Sequence, residues 1–569
     1  MYKATIGKYP NNQYTNLAVS NNDYNYQTNF SADKPVNQEV FRIDYAPSEK
    51  LHMFFRGDLT TVNDNDYSSP ANTMSWLLKV NYKLGEPNFV YNIAYSFTPT
   101  LVNEFNIGTA GWSEHQLYNK SDLAQVTLSS SGFNLPSLYS GVNPLNLYPA
   151  TTFGLTTANG ASAANYGWDS RFPMADQVRS FNATDKVTKV WGNHTFVVGI
   201  DAGTDAYLQV NHNRVGNFNF SVDSKDPNDS NFSYANAAMG VLDKYSQTTQ
   251  LVNYDPRTNR MEWYYQDTWK MFPKLTVEFG IRNSWAMAQR LKVGNNFVPE
   301  LYNVSNAPAL YQYGFSGNTP VAVDPTTGNT YPLAYAGLLV PNTGNVNNGV
   351  LYVNTRGYPQ GTTYGNGILQ APRVGFAWNV VPSTVIRANF GLFYNVRARS
   401  GQDGDLTNNA PTTNSPTQYY ASANPAASNY YASPGTSNLS GPFGVGHALP
   451  LHGNVPYAEE TSLGVQQELP FGTVLDVAYV GTFTKHASDT QPINEVPYGS
   501  EFLAKNQYCS AVSGGVCTKS STLPDSFFSP YPGFGSISMQ TYGLTANYNA
   551  LQVKVTRRFR NGLEFGGAY

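Results

Sequence analysis

Charge is scarce in this chain. Asp, Glu, Lys and Arg make up 13% of its 569 residues, about half the share usual in a soluble domain. Long apolar runs are lacking too. No window approaches the ~18 consecutive apolar residues of a membrane-crossing helix, so a helical span is excluded. The formal net charge is −3; with no basic surplus, the composition argues against a nucleic-acid partner. Cysteine is nearly absent. Cys509 and Cys517 are the only two, and they sit in a Ser- and Gly-rich stretch with no histidine nearby. A local disulfide formed in an oxidising compartment is favoured there over two unpaired thiols, and over a metal site. The opening MYKATIGKYPNNQYTNLAVS has no apolar core and is not a signal peptide, so an exported protein would carry its leader upstream. No G-x-S-x-G, H-E-x-x-H or G-x-x-x-x-G-K-[ST] pattern occurs, and no catalysis or cofactor is expected.

What the chain does have is aromatic residues, with 41 Tyr and 31 Phe, at a mean hydropathy of −0.38. Few charges, many rings and abundant Asn, Ser, Thr and Gly suit a β protein with a polar interior, aromatic girdles and long loops. Met261 to Asn283 is the clearest stretch. Leu275, Val277, Phe279 and Ile281 alternate with Thr276, Glu278, Gly280 and Arg282. Trp263, Tyr265, Trp269 and Met271 alternate with Glu262, Gln266, Thr268 and Lys270. A period of two means strands with one apolar and one polar face. Asp267 breaks the pattern on the apolar side.

Similar strands recur as hairpins near 39–59, 74–98, 185–201, 261–283, 373–395, 461–481 and 549–569, after a polar N-terminal segment, 1–38. The second hairpin is read as 74–83 and 88–97 joined by Gly85-Glu86-Pro87, and Tyr245–Val252 as a further strand within a loop. Turns inside hairpins are two or three residues. Connections between hairpins are long, Asn/Ser/Gly-rich and read as structureless. Structureless loops of that length count against a compact soluble domain. Short turns alternating with long loops are the pattern of an outer-membrane barrel, with tight periplasmic turns and long extracellular loops. The fold expected is all-β: a transmembrane antiparallel up-and-down β-barrel, partial, spanning 39–569. The last strand stops in mid-pattern at Tyr569. An open edge in lipid leaves backbone groups unpaired, so the chain is expected to be a fragment of a longer barrel.

Five segments carry a family resemblance. They are Gln266-Asp267-Thr268-Trp269-Lys270 with Pro273, Leu275-Thr276 and Gly280-Ile281-Arg282; Phe41–Asp44 with Lys50-Leu51 and Phe54–Arg56; Pro372–Trp378 with Ile386–Tyr394; Thr461–Pro470 with Thr473–Gly481; and Tyr548–Gln552 with Asn561-Gly562-Leu563. In order and spacing they resemble the barrel hairpins of Oar-like TonB-dependent transporters. The matches cover about a third of the chain, nearly all of it strand. The resemblance implies a barrel of about 22 strands, of which the chain supplies about 14, and a lumen plug that is not visible here. It also implies energy-coupled uptake of a scarce large solute, with TonB, outer-membrane lipid and an unknown extracellular ligand as partners of the full-length protein, in the outer membrane of a Gram-negative-type bacterium. Two other readings stand beside it: a structural or adhesive surface barrel without coupled import, and a soluble secreted multi-domain β protein that binds polysaccharide. The soluble reading requires one face of each strand to pack on a second sheet.

In a barrel, Glu278, Arg282, Arg387, Asn389, Gln552 and Lys554 would face the lumen, either hydrating a channel or bracing the wall. Trp263, Trp269, Trp285 and Tyr394, near strand ends, would suit interfacial girdles. Asn63-Asp64-Asn65-Asp66 and Asp226-Pro227-Asn228-Asp229 are oxygen-rich enough to consider for Ca²⁺, but neither continues into a full ligand pattern, and an ordinary polar loop is the preferred reading. A metal site at His447 and His452 is weaker still.

Overall fold

The computed structural model describes residues 33–67, 78–124, 126–131, 135–139, 141–154, 173–223, 226, 228–396, 406–433, 441–560 and 562–569. Its frame is a single sheet of fifteen strands. Fourteen of them pair antiparallel in chain order: β1 (Val36–Ser48), β2 (Leu51–Tyr67), β3 (Val80–Thr98), β4 (Leu101–Tyr118), β5 (Met174–Trp191), β6 (His194–Asn211), β7 (Arg257–Phe272), β8 (Leu275–Ala286), β9 (Gly367–Val381), β10 (Thr384–Tyr394), β11 (Tyr457–Leu469), β12 (Thr473–Pro492), β13 (Phe534–Arg560) and β14 (Leu563–Ala568). The fifteenth, Phe443–Ala448, adds in parallel to the start of β13. This is an up-and-down meander in which tight turns at one rim alternate with long loops at the other. Among the described residues, no pairing joins β1 to β14.

The number of staves agrees with the sequence reading, but two of its parts do not. The stretch 74–98 is not a hairpin. Residues 80–98 are one strand running straight through Gly85-Glu86-Pro87, and the turn lies at Pro99-Thr100, where Thr98 faces Leu101. Proline lacks an N–H and usually interrupts a central strand. Here the β3–β4 ladder skips Glu86 and Pro87, resuming at Asn88–Ala110. Gly111 makes room for the ring: a Cβ there would lie 3.0 Å from Pro87 Cγ. The consequence is that β4, which the sequence reading placed in a loop, is a full stave.

Most other strands run well past their expected ends. Asn63 to Asp66 therefore belong to β2 rather than to a loop, and the first stave begins at Val36. The remainder of the expected N-terminal segment lies largely outside the described residues.

Side-chain parity divides the sheet into two faces. Along β8, Leu275, Val277, Phe279, Ile281 and Trp285 share a face with their cross-strand partners Trp378, Phe376, Val374, Pro372 and Ile368 of β9. Register carries that face onward through Phe390, Leu463, Tyr479 and Leu551. Val374 is 51% exposed, Leu463 53% and Leu551 62%. Among the described residues, no second sheet covers these side chains. Trp378 opposite Leu275 and Trp285 opposite Ile368 are ten positions apart along this face. At about 3.4 Å per residue and a tilt near 40° that is about 26 Å, the height of an outer-membrane apolar band.

The buried core lies in the loops instead. The loops at 119–173, 212–256 and 395–456 each contribute to one four-stranded sheet, ordered Thr417–Tyr419, Lys244–Ser246, Asn217–Asn219 and Ala150–Thr152. Of the expected strand Tyr245–Val252, only Tyr245 and Ser246 are in one, the strand Lys244–Ser246. Phe218, Tyr245 and Tyr431 pack with Leu147, Phe153 and Leu242 beneath this sheet. A second core gathers Phe297, Leu310, Leu339, Phe443, Val445 and Ile537. The expectation of structureless loops is corrected: these connections form a cap whose hydrophobic core also takes in stave residues such as Val80, Met174 and Ile537. No helix among the described residues is long and apolar enough to cross a membrane.

Candidate functional site

The second face of the wall is polar, and its densest part spans β5 to β8. Arg260 is largely buried, and its guanidinium Nε donates to Asp205 Oδ2 at 3.0 Å. Its Nη1 lies 3.5 Å from Asp201 Oδ1, and Nη2 donates to Asn182 Oδ1 at 3.3 Å. Ser180 Oγ donates to Asp205 and Asn182 Nδ2 to Asp201. Two positions further along β7, Glu262 takes both the Arg282 guanidinium and the Ser284 hydroxyl of β8. Tyr264 follows, with its ring lying over Gly199 of β6, where a Cβ would sit only 2.4 Å from ring carbon Cζ. Arg282 then stacks on that ring at 5.5 Å. Gln266 Nε2 donates to Glu278 Oε1 at 2.8 Å. The result is a ladder in which each buried charge has an opposite partner; a buried charge without one would be expensive.

All six residues proposed for this face share it by register: Glu278, Arg282, Arg387, Asn389, Gln552 and Lys554. They do not form one cluster. Glu278 and Arg282 belong to the ladder, and Asn389 Nδ2 donates to Ser462 Oγ at 2.8 Å. Arg387, Gln552 and Lys554 are exposed on the polar face. Sequence reasoning missed Arg260, Asp201 and Asp205, because the strands were ended at Asp201 and Met261. The available signal was Asp201 as the last residue of the expected strand, with Asp205 and Arg260 at matched parity just past the two ends.

Among the four candidate girdle residues, Trp269 lies near the tight-turn rim, and Trp285 and Tyr394 near the loop rim. Tyr394 packs against Tyr457 at 5.5 Å. Trp263 is not at a strand end; it sits inside β7, which begins at Arg257. Asp267, the break in alternation, is also explained. It is on the apolar face but 2% exposed, and its Oδ2 is bonded to His194 Nδ1 at 2.8 Å. That imidazole lies parallel to Phe196 and Trp269.

Cys509 and Cys517 are bonded to each other across the loop hairpin Gln507–Ser513/Val516–Thr522. Tyr313 of a neighbouring loop hairpin donates its hydroxyl to the Cys509 carbonyl. The oxygen-rich run 226–229 is occupied internally. Asp226 Oδ1 accepts from the Asn228 N–H, and Asp229 accepts from the N–H groups of Asp223 and Asn231. His447 is held through its backbone by Asn409, while the His452 imidazole stacks on Tyr364. Among the described residues, no three His, Cys, Asp or Glu side chains are grouped to hold a metal. The cleft between 286–289 and 363–366 has room for about one water molecule, far too little for a small-molecule pocket.

An exposed apolar face, a polar face laced with ion pairs, tight turns at one rim and folded loops at the other fit an outer-membrane β-barrel wall. The sequence comparison agrees. The family model described as "Outer membrane beta barrel domain" matches residues 3–569, and the chain belongs to that family. Its place is the outer membrane of a Gram-negative-type bacterium, and the soluble polysaccharide-binding reading is excluded. No curated protein matches.

Solved structures similar to the chain include the outer membrane transporter YddB from Escherichia coli, at 8% identity and TM-score 0.46, covering 92% of this chain and 45% of that one. The siderophore receptor PirA from Acinetobacter baumannii has 8% identity and TM-score 0.41, with 92% and 51% coverage. A mutant of the ferric enterobactin receptor PfeA from Pseudomonas aeruginosa has 11% identity and TM-score 0.37, with 94% and 59% coverage. The chain thus spans about half the length of the solved structures it matches.

Proposed function

We propose that the chain is the barrel wall of an energy-coupled outer-membrane transporter of the TonB-dependent, Oar-like kind. The polar face lines a lumen, and the folded loops form the outward-facing part that meets a large, scarce solute. The observation that carries this reading is the construction of the cap. Three separate loops donate strands to one small sheet at the loop rim, an ordered surface that could meet a large solute. The five motif segments support it, because they fall on staves adjacent in the sheet rather than on the loops. The ladder around Arg260 and Glu262 supports a wide polar lumen. It fixes the wall's inner surface without closing it, and leaves Arg387, Gln552 and Lys554 to meet water or a plug.

The test uses the full-length gene in its host. Growth of a deletion strain is compared with wild type on limiting ferric chelates, oligosaccharides and peptides, with and without a protonophore. Transport predicts a growth defect on at least one of these solutes, reproduced in wild type when the proton-motive force is dissipated. Unchanged growth on all three, with loss of surface attachment, would favour the adhesive barrel instead.

A further inference from the structure

The outer wall carries a cationic cluster that neither the ladder nor the cap explains. Arg257, the first residue of β7, has the parity of Met261, Trp263 and Tyr265, which places it on the apolar, outward face. Arg290, in the loop after β8, pairs directly opposite it: each backbone N–H donates to the other's carbonyl at 2.9 Å. Two arginines directly opposite across a ladder repel each other. Lys292 joins them. One carboxylate serves the group: Asp255 is 7% exposed, and it meets Lys292 Nζ at 2.5 Å and Arg257 Nε at 3.3 Å. Among the described residues, Arg290 has only the Asn259 amide oxygen as a side-chain partner, at 3.3 Å. Three cations around one acid leave two positive charges. The cluster is not sunk in the fold, since the side chains of Arg257 and Lys292 are 52% and 67% exposed.

The cluster's height selects its partner. Met261 faces Trp285, the aromatic marking the upper edge of the apolar band, and Arg257 lies four residues further toward the loop rim. That is about 10 Å above the tryptophan. The polar layer of one leaflet begins at the aromatic belt and is about 5–8 Å thick, and long cationic side chains reach across it while their stems stay on apolar surface.

We propose that Arg257, Arg290 and Lys292 form a binding site for the phosphorylated headgroup of an outer-leaflet lipid, seated on the outer wall above Trp285. A phosphate placed between the two opposed guanidinium groups accepts forked hydrogen bonds from both, and it neutralises the surplus charge. The acyl chains then lie against the exposed apolar band around Trp285 and Ile368. The site is independent of transport, because the parity of Arg257 turns it away from the lumen.

The experiment uses the full-length protein in nanodiscs of phosphatidylcholine doped with a diphosphoryl glycolipid, with retained glycolipid counted by native mass spectrometry. Each surface cation strengthens an anionic lipid contact by about fivefold. R290Q, which gives up only the Asn259 contact within the protein, should retain about fivefold less glycolipid. The triple variant R257Q/R290Q/K292Q should retain about a hundredfold less. K519Q, an exposed cation on the disulfide hairpin, should retain as much as wild type, and millimolar inorganic phosphate should not displace the lipid. Heat-modifiable gel migration verifies that each variant is folded. Wild-type retention by a folded R290Q would overturn the proposal. So would full displacement by inorganic phosphate, which would make this a site for the free ion.

Discussion

Asp267 shows how a residue that breaks a pattern reveals what the pattern is for. A carboxylate on a lipid-facing surface is costly, and this one is accommodated because His194, on the neighbouring stave, binds it, its imidazole stacked against Phe196 and Trp269. The sequence shows Asp267 as an interruption, but its partner is 73 positions away, and no local spacing connects the two. His194→Ala should destabilise the folded barrel by about 3 kcal/mol, the cost of leaving a buried charge alone, measured by reversible urea unfolding in lipid vesicles. The paired change His194→Leu with Asp267→Leu should recover most of that loss, and a double-mutant cycle isolates the coupling. The Arg260 ladder teaches a related lesson. Glu278 and Arg282 were legible from alternation alone, since they lie inside a strongly periodic stretch. Arg260, Asp201 and Asp205 were not, because strand ends are where periodicity fades into loop composition.

At the level of elements, hairpins with strong turn chemistry were read well. Gly192-Asn193 and Asn561-Gly562 supply residues that tolerate positive φ; Gly192 adopts +57° and Gly562 +76°. The Gly85-Glu86-Pro87 triplet carries the same composition and misled, because Gly and Pro also mark bulges and edges within strands. What decides is the neighbour, in this case Gly111 yielding space to Pro87. Gly111→Val should therefore cost about 1–3 kcal/mol by overpacking against the proline ring. The same substitution at Gly543, where an added Cβ meets nothing within 4 Å, should cost less; the same unfolding assay compares the two. The loops were unreadable for a different reason. Their strands are three residues long and pair across three separate loops, so no segment carries enough periodicity of its own.

For the whole molecule, the hydrophobic core sits in the cap while the wall keeps its apolar side chains outside. That inversion explains how a chain of low charge has a negative mean hydropathy and still builds a large apolar surface. In the cap, burial pushes the Asp243 carboxyl up to about 6, opposed by Lys244 and reinforced by Asp223, Asp226 and Asp229. A carboxyl raised above its unfolded value of 3.8 contributes stability that is fully present below about pH 4 and is lost as pH rises through about 6. The cap should thus be more protected at pH 4.5 than at pH 7.5, by about 1–2 kcal/mol after allowance for solvent screening. Hydrogen exchange at the Tyr420 and Leu242 amides, corrected for intrinsic rates, reads this difference, and Asp243→Asn should abolish it.

The account turns on which face of the sheet meets lipid, and adjacent residues on β10 test it most directly. Phe390 is on the apolar face and Asn389 on the polar one. Gly280 makes a poor control, because a Cβ there would lie 2.7 Å from the Tyr265 carbonyl oxygen. The measurement is the unfolding free energy of Phe390→Arg against Asn389→Arg, in the full-length protein folded into lipid vesicles. A lipid-facing wall predicts a loss of about 2–4 kcal/mol for Phe390→Arg, and under about 1 kcal/mol for Asn389→Arg. Equal losses at the two positions would contradict it.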